Sequence, residues 1–138
     1  MADRKPLILI ADDDVAVRDS LQFALGLLGL EVHVHGGGAE LLADADLPHA
    51  SCIILDDGTP HLNGFELLKR LRARNIRSPA ILLTNHATAR LRARADAAGV
   101  RLVLEKPLMD DALVESILAI LQKEDTDSES SSNLRKDP

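Results

Sequence analysis

Aspartates occupy two positions from which a carboxylate cluster can form. Asp12 and Asp13 directly follow the apolar run Leu-Ile-Leu-Ile-Ala, and Asp56 follows the run Cys-Ile-Ile-Leu. Clustered carboxylates repel one another, and each takes up a proton unless a cation compensates the charge. Mg²⁺ is a suitable cation because it prefers oxygen ligands and retains waters or a phosphate oxygen. We therefore predict a Mg²⁺ site with carboxylates from Asp12, Asp13 and Asp56 and a backbone carbonyl near Gly58.

The same residues suggest phosphoryl chemistry, because an aspartate oxygen can attack phosphorus to give an acyl phosphate. The transferred group spreads negative charge over its equatorial oxygens, so it needs cations and hydrogen-bond donors around it. Lys106 follows one apolar run and Thr84 closes another. An ammonium and a hydroxyl are therefore predicted beside the carboxylates, which completes a site that accepts a phosphoryl group.

The elements that position these residues follow from the alternation of short apolar runs with amphipathic ones, which is typical of βαβ units and a parallel sheet. Asp14 is predicted as the N-cap of the first helix and Gly29 as its end. We predict strands at 7–11, 31–35, 51–55, 79–84 and 101–104, and helices at 15–29, 39–45, 64–74, 87–98 and 110–122. The carboxyl ends of parallel strands meet at one edge, where such sheets bind ligands.

Length and composition predict a single domain over residues 1–122 and a disordered acidic, Ser-rich tail over 123–138. The net charge of -6 argues against nucleic acid as a partner, and Phe23 and Phe65 are the only aromatic residues. Cys52 lies in an apolar run, where a buried thiol is expected. Neither a signal peptide nor an apolar stretch of membrane-spanning length is evident, so we predict a cytoplasmic protein without a membrane partner.

One stretch of the sequence is rich in arginine, although the chain as a whole carries a net negative charge. It is either a pair of solvated helix faces, which is the more common case, or a docking face for an acidic partner. Its members are Arg70, Arg72, Arg74, Arg77, Arg90, Arg92 and Arg94.

Taken together, the chain resembles a receiver domain of bacterial two-component response regulators, of the stand-alone chemotaxis type, over about residues 5–122. The matching features are the run 7–14, the spacing from Asp56 to Pro60 and Gly64, the run 81–84 and the Lys-Pro pair at 106–107. The resemblance implies a flavodoxin-like α/β sandwich with strand order 2-1-3-4-5, Mg²⁺ dependence, and a phosphoryl donor that is a histidine kinase or a phosphotransfer protein.

Carried over by residue, the resemblance implies that Asp56 is the phosphoacceptor and that Asp12 and Asp13 bind the metal. It further implies that Lys106 contacts the phosphoryl group and that the Thr84 hydroxyl moves toward it. Such a protein assists its own phosphotransfer and dephosphorylation but is not classed as an enzyme.

Two positions depart from the family pattern. Val103 stands where an aromatic residue is usual, so the ordinary coupling between that ring and Thr84 is not expected. Asp57 adds a carboxylate next to the acceptor, and strand alternation predicts that it faces away into solvent. A triple glycine at 36–38 opens the second helix without a capping side chain, so a frayed start is expected.

Several histidines suggest alternative functions. His35 and the triple glycine resemble an esterase oxyanion loop, but no Gly-x-Ser-x-Gly nucleophile motif is present in the sequence. His33 and His35 share one strand face, and without a third ligand they are predicted to be ordinary sheet residues. His86 is predicted to be a loop residue rather than a general base.

Two other classes stay open. Asp12 and Asp14 imitate the paired acids of haloacid-dehalogenase-like phosphatases, which use an aspartyl phosphate. Val103 gives some weight to a receiver-like module that acts by protein contact without phosphorylation.

The signal would pass to a partner through a surface of the domain. The resemblance suggests the face formed by the fourth helix, the fifth strand and the fifth helix. The fifth helix is apolar on more than one stripe, which suggests an exposed contact such as a homodimer or a kinase-docking site. Its apolar residues are Leu113, Val114, Ile117, Leu118, Ile120 and Leu121.

Overall fold

The computed structural model describes residues 5–58, 62–108 and 111–122, and the predicted tail at 123–138 lies outside them. Five strands form one parallel sheet in the order β2-β1-β3-β4-β5. The strands are β1 Leu7–Ala11, β2 Glu31–His35, β3 Cys52–Asp56, β4 Ala80–Thr84 and β5 Leu102–Glu105. The helices are α1 Val15–Leu27, α2 Gly38–Leu42, α3 Gly64–Ala73, α4 Ala89–Ala97 and α5 at 112–122.

The core consists of two aliphatic layers, one on each face of the sheet, because successive side chains of a strand point to opposite faces. One layer joins the sheet to α2, α3 and α4, and the other joins it to α1 and α5. Cys52 is fully buried, as predicted. The result is the three-layer, flavodoxin-like α/β sandwich that the sequence predicted.

Several predicted boundaries shift by one to three residues, and local hydrogen bonding explains two of the shifts. β3 extends to Asp56 because that residue still pairs in register with Leu83 of β4. α4 begins later than predicted because Thr88 caps it, accepting a hydrogen bond from the N–H of Leu91 at 3.1 Å. α2 ends at Leu42, earlier than predicted, and its N-cap provides no side-chain hydrogen bond.

The ends of α1 agree with the sequence analysis. The Asp14 carboxylate accepts the N–H of Ala16 at 2.9 Å and that of Val17 at 3.4 Å, so it caps the helix. Gly29 has a φ of +80°, a conformation that a residue with a Cβ rarely adopts, and the chain turns there toward β2.

The apolar surface of the protein is not where the sequence suggested. In α5, Leu113, Ile117 and Ile120 are buried, and Leu118, at 41% exposure, is its one large exposed apolar side chain among the described residues. In α1, by contrast, Phe23 is 70% and Leu27 72% exposed. The apolar excess of α5 therefore mostly packs on the sheet.

The start of α3 lies tightly against the end of β3, and this contact generates a stability prediction. A Cβ on Gly64 would lie 2.7 Å from Cδ1 of Leu82 and 3.3 Å from the carbonyl oxygen of Asp56. We expect Gly64→Ala to lower the free energy of unfolding by about 1–3 kcal/mol, measured by urea denaturation, because buried neighbours must shift.

A matched control is Gly26→Ala, since a Cβ there meets nothing within 4 Å and the residue lies in α1. This variant should gain up to about 1 kcal/mol from helix propensity. Equal stabilities for the two variants would contradict the close packing of α3 on β3.

Candidate functional site

The predicted acidic residues do converge at the carboxyl edge of the sheet. Asp12 follows β1 directly and Asp56 is the last residue of β3, the neighbouring strand. Ligand oxygens of Asp12, Asp13 and Asp56 lie within 4.8 Å of one another. Asp12 is fully buried and Asp56 is 5% exposed, whereas Asp13 is exposed to solvent.

Lys106 joins the two buried carboxylates. Its Nζ lies 2.8 Å from Oδ2 of Asp12 and 3.2 Å from Oδ2 of Asp56. The lysine follows β5, and its backbone N–H donates to the carbonyl of Thr84 at 2.8 Å, which anchors the main chain beside β4. The side chain therefore extends from the sheet edge across β4 to the acids of β1 and β3.

Backbone groups hold both carboxylates in place. Asp12 Oδ1 accepts the N–H of Asp14 at 2.9 Å, and Asp56 Oδ1 accepts the N–H of Gly58 at 3.2 Å. The Arg18 guanidinium also donates to the carbonyl oxygen of Asp12, at 2.7 Å. No sequence signal points to Arg18, because no motif connects a helix residue to the carbonyl six positions earlier.

Burial is the largest influence on the protonation equilibria of the site, and the neighbouring charges act beside it. Burial and the neighbouring Asp12 charge raise the pKa of Asp56 above its ordinary value, although the Gly58 N–H and the Lys106 ammonium oppose this. Burial lowers the pKa of Lys106, but its hydrogen bonds and charge interactions with Asp12 and Asp56 outweigh burial and raise it. A single ammonium therefore does not fully compensate the carboxylates.

This arrangement fits a hard divalent cation. Three carboxylates provide oxygen ligands, and their uncompensated charge favours a cation of the Mg²⁺ type. Gly58 contributes its N–H to Asp56, and its carbonyl as a metal ligand stays a prediction.

Thr84 lies where predicted, at the end of β4, but its hydroxyl has a partner that the sequence did not suggest. Thr84 Oγ1 donates to Oδ2 of Asp57 at 3.0 Å, and the hydroxyl oxygen accepts the backbone N–H of His86 at 3.2 Å. Thr84 is 2% exposed. The prediction that Asp57 is a solvated acid is therefore wrong, because its half-buried carboxylate holds the threonine hydroxyl.

Two further predicted residues have plain structural surroundings. Val103 is half-buried and packs against the core layer that faces α3 and α4. His86 has an exposed side chain after β4, as expected of a loop residue.

The basic stretch is used partly for structure. The guanidinium of Arg72 donates to the carbonyls of Ile76 at 2.6 Å and Ser78 at 3.0 Å, which ties the end of α3 to the following loop. That of Arg94 lies 4.1 Å from the ring centroid of Phe65, a cation–π contact between α4 and α3.

None of the helices in the described residues combines the length and apolar character that crossing a bilayer requires.

Comparison with known proteins agrees with the geometry. The response regulator receiver domain family matches residues 8–118. The transcriptional regulatory protein FixJ of Azorhizobium caulinodans is 39% identical over 122 residues, which cover 88% of this chain and 57% of that protein. The C4-dicarboxylate transport transcriptional regulatory protein DctR of Rhodobacter capsulatus is 35% identical over 114 residues, 81% of this chain and 58% of that protein.

Solved structures show the same likeness. The chemotaxis protein CheY4 of Vibrio cholerae superposes with a TM-score of 0.79 at 26% identity, covering 85% of this chain and 99% of that one. A CheY-like receiver domain protein from Methanospirillum hungatei superposes with a TM-score of 0.80 at 26% identity, covering 90% and 99%.

This chain spans little more than half the length of the FixJ and DctR proteins that it matches, and the matched region carries the buried acids, the threonine and the lysine described above. The protein belongs to the response regulator receiver domain family of two-component signal transduction.

Proposed function

We propose that this receiver domain accepts a phosphoryl group on Asp56, in a Mg²⁺-dependent transfer from a phosphohistidine of a sensor histidine kinase or a histidine phosphotransfer protein. The observation that carries the proposal is the Lys106 ammonium, 2.8 Å from Asp12 and 3.2 Å from Asp56 in a buried cluster. Asp56 is chosen as the attacking acid because it ends β3, contacts the Lys106 ammonium and has the four-residue spacing to Pro60 that the family resemblance requires.

In the proposed step, an oxygen of Asp56 forms a bond to phosphorus while the phosphorus–nitrogen bond of the donor breaks, and its electron pair leaves with the imidazole. Lys106 stabilises the negative charge of the phosphoryl oxygens, and Asp12, Asp13 and Asp56 would hold the metal. Bound Mg²⁺ supplies further charge stabilisation to the same oxygens. The Gly58 N–H, 3.2 Å from Asp56 Oδ1, keeps the carboxylate oriented.

The Thr84 hydroxyl is proposed to respond to the phosphoryl group after transfer. It must first give up its 3.0 Å hydrogen bond to Asp57. Val103 offers no ring that could turn inward with it, so we propose that the signal consists of the movement of Thr84 and of the loop after β4. We also propose that the protein is cytoplasmic.

The phosphoacceptor prediction compares two adjacent aspartates. Incubation with acetyl phosphate and Mg²⁺ should add one phosphoryl group to the wild-type chain, measured by intact-protein mass spectrometry, and chelation of Mg²⁺ should abolish the addition. Asp56→Asn should remove the addition because Asp56 is the carboxylate of β3 that contacts Lys106. Asp57→Asn should retain it, and loss in Asp57→Asn with retention in Asp56→Asn would overturn the assignment.

The electrostatic prediction concerns Lys106. Replacement by Gln leaves Asp12 and Asp56 without their common cation, so the free energy of unfolding in EDTA should fall by about 1–3 kcal/mol, measured by urea denaturation at neutral pH. Adding Mg²⁺ should restore part of the loss, since the cation binds the folded cluster. Lys69→Gln, on the exposed face of α3, is the control and should leave stability unchanged. Equal stability of the two variants would contradict the role of Lys106.

A second candidate is a receiver that acts by protein contact without phosphorylation. The hydrogen bond of Thr84 to Asp57 and the valine at 103 favour it. Full activity of Asp56→Asn in a cell-based signalling assay would support it. The phosphatase alternative is disfavoured because the Asp14 carboxylate is engaged in capping α1.

The proposed homodimer uses the face formed by α4, β5 and α5. Its support is the exposure of Leu118, 41%, on α5. Sedimentation with and without beryllofluoride should show a dimer that Leu118→Lys weakens. A monomer under both conditions would contradict the dimer, and a dimer disrupted by Phe23→Lys instead would move the contact to α1.

A further inference from the structure

A second cluster of titratable side chains lies on β2, the edge strand of the sheet. His33 and His35 point to the same face, while Val32 and Val34, which alternate with them along the strand, pack into the core. Nδ1 of His33 and Nε2 of His35 each lie 2.9 Å from the same oxygen, Oδ2 of Asp44. Asp44 therefore bridges the two histidine rings, a contact that the sequence did not suggest.

Asp44 is the fixed centre of this cluster. Its side chain is 8% exposed, and its other oxygen accepts the N–H of Asp46 at 2.8 Å. These contacts tie the turn after α2 to β2.

The second ring nitrogen of His33 faces two further carboxylates. Its Nε2 lies 3.1 Å from Oε2 of Glu31, and ligand atoms of Glu31, His33 and Asp46 lie within 4.8 Å of one another. When Nδ1 carries the proton that it donates to Asp44, the lone pair on Nε2 points at a carboxylate. A proton on Nε2 removes this repulsion by making the ring an imidazolium, and a metal ion in place of that proton would do the same for the neutral ring.

The distances suit a metal ion. Neighbouring ligands of a tetrahedral zinc ion, each about 2.0–2.2 Å from it, are about 3.3 Å apart, close to the separation of His33 and Glu31. Metal-binding histidines commonly donate their other ring N–H to a carboxylate, which fixes the ring and raises its basicity. Asp44 stands in that relation to His33.

The cluster opens into a cavity that gives access to it. The cavity has a volume of about 180 Å³ and is lined by Lys5, Leu7, Glu31, Asp46 and His49. His49 brings a second imidazole to the same space. Glu31 pairs with Leu7 at the amino end of the sheet, four residues or about 13 Å from the edge that carries Asp12.

We propose that Glu31, His33 and Asp46 bind a transition-metal ion of the Zn²⁺ class, with Asp44 orienting His33. A mixed set of imidazole and carboxylate ligands selects such an ion over Mg²⁺, which favours oxygen alone. The site is separate from the phosphoacceptor cluster and its occupancy does not depend on the proposed phosphoryl transfer.

The test is a Zn²⁺ titration of the full chain by isothermal calorimetry, in saturating Mg²⁺ so that the carboxylates at Asp56 are occupied. One Zn²⁺ per chain is expected. His33→Gln should weaken binding at least tenfold, and Asp44→Asn should weaken it about 10–100-fold through loss of ring orientation. His86→Gln removes an exposed histidine elsewhere and should leave binding unchanged.

Folding of each variant is checked by thermal unfolding in EDTA. If His33→Gln does not fold, Glu31→Gln at an exposed position provides the same comparison. Absence of Zn²⁺ binding to the wild-type chain overturns the proposal, as does wild-type affinity in the folded His33 or Glu31 variant. Equal weakening by His86→Gln would likewise overturn it, because the ion would then be bound elsewhere.

Discussion

The ion pairs between Lys106 and the two buried carboxylates, Asp12 and Asp56, are the interaction on which the rest of the site depends. Without an oppositely charged partner, each of these groups would be destabilised by the loss of its hydration at this degree of burial. Removal of one group therefore leaves the others with uncompensated charge. With 2.8 Å and 3.2 Å contacts, the ammonium offsets that cost in part. The remaining negative charge is what makes the edge of the sheet suitable for a divalent cation and a phosphoryl group.

The fold brings these groups together by strand order. β1 and β3 are neighbours in the sheet, so Asp12 and Asp56 lie close together at its carboxyl edge. β4 lies between β3 and β5, the strand that leads to Lys106. A lysine has the reach to cross one strand, which a shorter cation would lack. Gly64 lets α3 begin directly against the end of β3.

Sequence patterns predicted the strands, the helices and the convergence of acids because these follow from apolar periodicity and from the shared carboxyl edge of a parallel sheet. The patterns did not predict which side chains pair across the fold. The hydroxyl of Thr84 bonds to a carboxylate 27 positions away, and His33 bonds to one 11 positions away, so both contacts depend on the packed structure. Similarly, an apolar stripe on α5 did not reveal that the sheet covers most of it, whereas Phe23 of α1 stays exposed.

The central claim is that Asp56 is the nucleophile within a metal-binding cluster that Lys106 completes. A crystal structure of the chain with Mg²⁺ and beryllofluoride tests it most directly, because beryllofluoride mimics the phosphoryl group on an aspartate. The account predicts beryllium bonded to an oxygen of Asp56, a fluoride on the Lys106 ammonium, and Mg²⁺ ligated by Asp12 or Asp13. Beryllium bonded to Asp57, or Mg²⁺ bound away from these acids, would contradict it.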